Sequence, residues 1–118
     1  MSEKIFAANW KMYLNDNESK EFMSRITSNK EFFSEFNIMI FPNHLSIAAV
    51  PNLAKDLPNI KIGMQDCDAS TSGAITGSNS ITSLDVDSCI VGHSERRNVF
   101  NESNEIIKSK LNNCLNNI

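Results

Sequence analysis

No apolar run in this 118-residue sequence approaches the roughly 20 residues that a membrane-spanning helix needs. Its start, Met1-Ser2-Glu3-Lys4, lacks the shape of a signal peptide, so the expectation is a soluble, cytoplasmic protein with no membrane partner. Basic residues are not in excess either: 11 Lys and Arg stand against 14 Asp and Glu, for a net charge of -3. Duplex nucleic acid needs clustered cations to displace its counterions, and the one basic pair, Arg96-Arg97, sits among Glu95 and Glu102, which reads as a structural ion pair. Cys67, Cys89 and Cys114 are odd in number and lack the close spacing of zinc sites or disulfide frameworks. Free thiols are expected, with Cys89 and Cys114 buried and inert and Cys67 in a polar loop. No linker, low-complexity stretch or internal repeat divides the chain, so residues 1–118 read as a single unit. The asparagines at 112, 113, 116 and 117 read as codon bias rather than function.

What is present is an alternation. Short apolar runs starting near Ile5, Ile38, Ile60 and Cys89 are separated by segments with helical periodicity, which predicts successive βα units and a parallel sheet. The run Ile5-Phe6-Ala7-Ala8 is nearly continuous, as in a strand covered on both faces, and Ile38–Phe41 and Cys89–Val91 read alike. Ile60, Ile62 and Met64 alternate with Lys61 and Gly63, which predicts a third strand less covered on one side. Asn15 and Glu18 form a capping-box variant before the stripe Phe22, Met23, Ile26. Ile47, Val50, Leu53, Ala54 and Leu57 line a second helical face that Pro51 kinks or restarts. Ile107, Leu111, Cys114 and Ile118 mark a last helix entered through Asn101 or Ser103. The longest non-periodic stretch, Asp66 to Ser78, carries Ala74 and Ile75 at its middle, and apolar residues at a loop tip imply something to bury against.

Chemistry-bearing residues concentrate at two strand ends. The first strand runs into Asn9-Trp10-Lys11, and the fourth delivers Gly92-His93-Ser94-Glu95. In parallel α/β folds ligands bind at the carboxyl ends of the strands, so Lys11 and His93 share the side where an anionic substrate would sit. Ser94 is expected to cap the turn after His93, with Glu95 in its first turn. A histidine at such a helix start is favoured as the neutral ring, a hydrogen-bond donor to a carbonyl oxygen rather than a conventional acid. A Ser-His-Glu triad is disfavoured, because Ser94 adjoins His93 covalently and lacks nucleophile-elbow glycines.

Three blocks together resemble the amino-terminal half of the triosephosphate isomerase family. They are Phe6-Ala7-Ala8-Asn9-Trp10-Lys11-Met12, Ile62-Gly63-Met64-Gln65-Asp66 with Gly73-Ala74-Ile75-Thr76-Gly77, and Val91-Gly92-His93-Ser94-Glu95-Arg96-Arg97 with Val99-Phe100 and Glu102-Ser103. The resemblance implies the first four βα units of a TIM (β/α)8 barrel, a half-barrel with a parallel sheet. It implies an enzyme of glycolysis and gluconeogenesis that interconverts dihydroxyacetone phosphate and D-glyceraldehyde 3-phosphate through an enediolate, with no cofactor and no metal. Lys11 would attract the anionic substrate and stabilise negative charge, Asn9 would position substrate and lysine, and His93 would polarise the carbonyl and shuttle protons. Glu95 and Ser94 would support them, Arg96 and Glu102 would form a structural ion pair, and Gly73, Ala74, Ile75, Thr76 and Gly77 would form a homodimer interface. Asp66, Ser78 and Asn101 depart from the family pattern, where Asn, Glu and Gly are usual. The whole barrel takes about 250 residues. The carboxylate base, the lid and the phosphate-gripping loops of the family belong to its second half, so this chain alone is expected to be inactive and to need a second copy or the missing half. The alternatives are a non-catalytic half-barrel used for assembly and, more remotely, an open flavodoxin-like sheet.

Overall fold

The computed structural model describes residues 3–118; Met1 and Ser2, which carry part of the signal-peptide reading, lie outside the described residues. Four strands, β1 (Ile5–Asn9), β2 (Asn37–Phe41), β3 (Ile60–Met64) and β4 (Ser88–Cys89), pair in parallel in the order β1-β2-β3-β4. That order is itself diagnostic. A doubly wound sheet reverses direction at a switch point, whereas strands that stay in sequence order curl toward a barrel, so the flavodoxin-like alternative is excluded.

Five helices complete the chain's regular structure among the described residues: α1 (Asp16–Ser28), α2 (Lys30–Phe33), α3 (Val50–Leu53), α4 (Ser94–Asn98) and α5 (Asn104–Asn117). The α1 capping box is present in full: Asn15 Oδ1 accepts from the Glu18 amide at 2.9 Å, and Glu18 Oε2 accepts from the Asn15 amide at 3.3 Å. Ser19, Met23 and Ile26 then recur at helical spacing and turn inward. Pro51 lies in the first turn of α3, where its missing N–H would have had no partner. Ser103, not Asn101, caps α5 by accepting from the Ile106 amide.

The core lies between the sheet and these helices, with Met23, Ile40, Val50, Ile62, Met64 and Ile81 among its buried members. Each such side chain contributes roughly 2–3 kcal/mol of transfer free energy. Ile81 and Val86 come from the β3–β4 connection, residues 65–87, which contains no helix. The expected βα alternation is therefore interrupted there: the loop folds over the sheet end and supplies its own apolar residues in place of a helix face.

Coverage of the strands also departs from expectation. The run in β1 is not enclosed: Ile5 is 55% and Phe6 57% exposed, because β1 is an edge strand paired only with β2. Conversely, β3 is the best covered strand, with only Lys61 exposed. Gly63 is not a polar-face residue. A Cβ there would strike Ser88 Oγ and the Phe41 ring, so glycine admits the close approach of β2 and β4. In α5 the enclosed face comprises Lys110, Asn113 and Cys114, while Leu111 and Ile118 of the expected stripe are 46% and 51% exposed. Asn113 also corrects the codon-bias reading, since its amide donates to the Asp68 carbonyl at 3.0 Å and ties α5 to the β3–β4 loop.

Candidate active site

The backbone leaves β1 through Asn9 and turns sharply at Lys11, whose φ of 52° is left-handed and strained for a residue with a Cβ. Two side chains hold it. Asn9 Oδ1 accepts from the Lys11 amide at 3.0 Å, and Gln65 Nε2 donates to the Lys11 carbonyl at 2.8 Å and to the Phe41 carbonyl at 2.9 Å. Gln65 thus ties together the ends of β1 and β2 from its place just after β3. The signal for Gln65 in the sequence is of the kind that marks Lys11: a polar residue just after a parallel strand.

Beyond β4, Gly92 takes a φ of 70°, and a Cβ there would press on Ile107 Cγ2 at 3.0 Å. His93 follows and is the N-cap of α4: its Nδ1 accepts from the Glu95 amide at 3.1 Å. The cap expected at Ser94 falls one residue earlier, because His93 keeps the extended ψ of 147° and its ring folds back over the first turn, while Ser94 is exposed. A backbone amide can only donate, so Nδ1 offers a lone pair and the neutral ring carries its proton on Nε2.

Glu95 links the two strand ends. Its Oε1 lies 2.7 Å from Lys11 Nζ, and Oε2 lies 3.5 Å from His93 Nδ1. The hydrogen bond between them raises the Lys11 pKa above its ordinary value and lowers that of Glu95, with their charge attraction adding in the same sense. Both side chains keep more than 40% of their surface open. The structure therefore brings Asn9, Lys11, His93 and Glu95 to one edge of the sheet.

Behind the site lies a second, enclosed set of charges. Arg96 Nε donates to Glu102 Oε2 at 2.5 Å, its guanidinium stacks 4.1 Å from the Phe100 centroid, and Nη2 lies 3.5 Å from Asp66. Lys110 Nζ contacts Asp66 Oδ1 at 2.9 Å and Glu102 Oε1 at 2.7 Å. Asp66 thus has its own cation in Lys110, which sequence reasoning missed because a lysine on a helix reads as solvated. Asn101 takes a φ of 55°, a conformation that asparagine tolerates better than most residues, which accounts for it at a glycine-like turn.

The loop residues Gly73, Ala74, Ile75, Thr76 and Gly77 are exposed, with φ of 151° at Gly73 and 85° at Gly77. Ile75 keeps 45% of its surface, so the burial expected at this loop tip is not found within the chain. The cysteines require a larger correction. The fold brings Cys67, Cys89 and Cys114 together with all three Sγ atoms within 4.8 Å of one another; Cys67 does lie in the β3–β4 loop but is only 1% exposed, and Cys89, expected to be buried, is half-buried. Close spacing in sequence is not needed when β3's end, β4 and α5 converge.

Comparison with known proteins agrees with this architecture along the whole chain. The family model described as triosephosphate isomerase matches residues 4–118. The triosephosphate isomerase of Dictyoglomus thermophilum is 39% identical over 119 residues, covering 98% of this chain and 47% of that protein. That of Aquifex aeolicus is 36% identical, covering 95% and 46% respectively, and that of Bdellovibrio bacteriovorus is 34% identical, covering 92% and 46%. The chain spans about half the length of the curated relatives it matches. A parallel sheet in sequence order, a lysine and a histidine at its carboxyl edge, and a family match from residue 4 to residue 118 lead to one conclusion: the chain belongs to the triosephosphate isomerase family.

Proposed function

We propose that these residues supply the electrophilic half of a triose-phosphate isomerase site, acting on dihydroxyacetone phosphate and D-glyceraldehyde 3-phosphate. The observation that carries this reading is the Lys11–Glu95–His93 arrangement. Removing a proton from the carbon beside a carbonyl places negative charge on the carbonyl oxygen, and donors fixed at that oxygen lower the barrier. His93, with its proton on Nε2, is such a donor; passing that proton to one enediolate oxygen and retrieving one from the other completes the isomerisation with no change in oxidation state and no cofactor. Lys11 stabilises the same charge and attracts the phosphorylated substrate, while Asn9 fixes the strained turn from which Lys11 projects.

The carbon-bound proton requires a base. Glu95 is the carboxylate at this edge, and it is held by Lys11 at 2.7 Å and by the turn of His93. The base, and the groups that close over the phosphate, therefore come from a second half of the barrel. The isolated 118-residue chain is expected to show no substantial isomerase activity, whereas the chain combined with a carboxyl-terminal half that closes the barrel recovers it. In that complemented enzyme His93→Gln lowers kcat about 10²–10³-fold with little change in KM, because its hydrogen bond strengthens only as charge develops. Turnover by the isolated chain in a preparation free of host isomerase, or an unchanged kcat for His93→Gln, refutes the reading.

The same reading makes self-association the natural state of the chain without that half. Ile5 and Phe6 on the β1 edge and Ile75 in the exposed loop offer apolar surface that a second copy would cover. Sedimentation at micromolar concentration tests this, and a compact monomer that binds no hydrophobic dye contradicts it.

A further inference from the structure

Among the described residues, the three cysteines are the cluster of metal-ligating side chains that the proposed reaction does not use. They come from three separate pieces of the chain: Cys67 three residues after β3, Cys89 at the end of β4, and Cys114 on the enclosed face of α5. Three small apolar side chains packing a core would each turn toward hydrocarbon. Here the sulfurs face one another instead, with Cys67 Sγ 3.4 Å from Cys114 Sγ and all three within 4.8 Å.

That spacing has a chemical meaning. A tetrahedral or trigonal ion with metal–sulfur bonds of about 2.3 Å separates its sulfurs by about 3.8–4.0 Å, so three thiols already clustered at 3.4–4.8 Å need to move by about 1 Å at most. We propose that Cys67, Cys89 and Cys114 form a three-thiolate site for a soft d10 cation of the Zn²⁺ class, buried beside the fourth strand. Sulfur-only ligation selects soft ions over Mg²⁺ or Ca²⁺, which take oxygen ligands. On binding, three S–H protons leave to solvent and three metal–sulfur bonds form, giving a net charge of -1 for a divalent ion. Cys67 and Cys114 are closed off from water, while Cys89 is half-buried, so the site's fourth position opens on the Cys89 side, toward a water or a small thiol. The ion would pin β4, the shortest strand, to α5 and to the β3–β4 loop, which lacks a helix of its own.

The test uses the full 118-residue chain, reduced and kept free of oxygen. Cd²⁺ is added as a spectroscopic probe, and Zn²⁺ affinity is measured against a chromophoric chelator. The expected result is one ion per chain, a thiolate-to-metal charge-transfer band, a raised thermal midpoint with Zn²⁺, and at least a 100-fold loss of affinity in each of Cys67→Ala, Cys89→Ala and Cys114→Ala. Circular dichroism of each variant shows whether it is folded. For any variant that is not, X-ray absorption of the Zn²⁺-loaded native chain decides independently, with three sulfur neighbours at about 2.3 Å expected. Absence of the charge-transfer band, affinity unchanged by the substitutions, or a shell of nitrogen and oxygen neighbours overturns the proposal and leaves three thiols that only fill the core.

Discussion

Two ion pairs leave neighbouring residues of one short helix and go to opposite environments. Glu95 reaches outward to Lys11, and both side chains keep more than 40% of their surface in solvent. Arg96 reaches inward to Glu102, where Lys110 and Asp66 complete a set of two cations and two anions, three of its side chains no more than 16% exposed. The outer pair suits the proposed site: its charges are fixed in place yet open to solvent. The inner set is architecture, because its charges are spent on each other and join the His93 turn to α5 and to the end of β3. Exposure decides which role a pair takes, since screening makes an open pair worth little to stability while an enclosed charge without a partner is costly.

The sharpest way to break this contrast is to remove Lys110. Lys110→Met keeps most of the volume but leaves Asp66 and Glu102 with Arg96 alone, and a loss of about 3 kcal/mol in unfolding free energy is expected from urea titration. Adding Asp66→Asn removes the surplus anion and is expected to recover at least half of that loss. If the double variant is no more stable than the single one, the network is not what α5 depends on.

A second measurement uses pH. Burial pushes the Glu102 carboxyl up, but hydrogen bonds from Lys110 and Arg96 outweigh it and hold its pKa below the ordinary value. Burial likewise lowers Lys110, and its bonds to Glu102 and Asp66 outweigh that and raise it. A depressed carboxyl stabilises the fold at pH above its unfolded value of about 4.3 and loses that contribution as pH falls through the folded pKa. A raised lysine stabilises below about 10.4 and loses its contribution as pH rises through the folded pKa. The contribution of this set to the urea midpoint is therefore expected to be flat between these limits and to fall outside them. In Lys110→Met the alkaline fall should weaken, and the acid fall should become shallower.

The reason the outer pair could be read in the sequence and the inner set only partly is physical. Lys11 and His93 each stand directly after a run of strand-forming residues, and a parallel sheet sends all such positions to one edge, so local pattern was enough to bring them together. The Asn15–Glu18 capping box is likewise local, contained within four consecutive residues. Lys110 pairs with Asp66 from a different element, and nothing within α5 distinguishes it from solvated Lys108. The thiol cluster escaped for the same reason, being made by three elements with no shared spacing. The missing helix between β3 and β4 escaped for another: Ile81, Leu84 and Val86 supply apolar residues there, and short apolar sets do not distinguish a helix face from a packed loop.

A smaller effect is expected at the turn that connects α4 to α5. Asn101 has a left-handed φ of 55°, which costs a residue with an ordinary Cβ about 1–2 kcal/mol. Asn101→Ala should destabilise the chain by about 1 kcal/mol, and Asn101→Gly should not destabilise it. Equal losses for both variants would show that the asparagine side chain, rather than the backbone angle, is what matters there.

The smallest effect on stability is expected at the outer pair itself, and its smallness is the point. Lys11→Ala removes the partner of Glu95, yet Glu95 stays about half exposed and water replaces the lost ammonium. The strained turn at Lys11 is held by Asn9 and Gln65 through backbone atoms, which the substitution leaves in place. The urea midpoint of Lys11→Ala should therefore match that of the native chain, and adding salt should bring the two no closer. The Glu95 carboxyl should titrate upward toward its ordinary value once the hydrogen bond from Lys11 is gone, as a carboxyl carbon NMR signal would report. A loss of stability comparable to that of Lys110→Met would mean that Lys11 is part of the scaffold, and the distinction between an outer pair kept for an anion and an inner set kept for the fold would not hold.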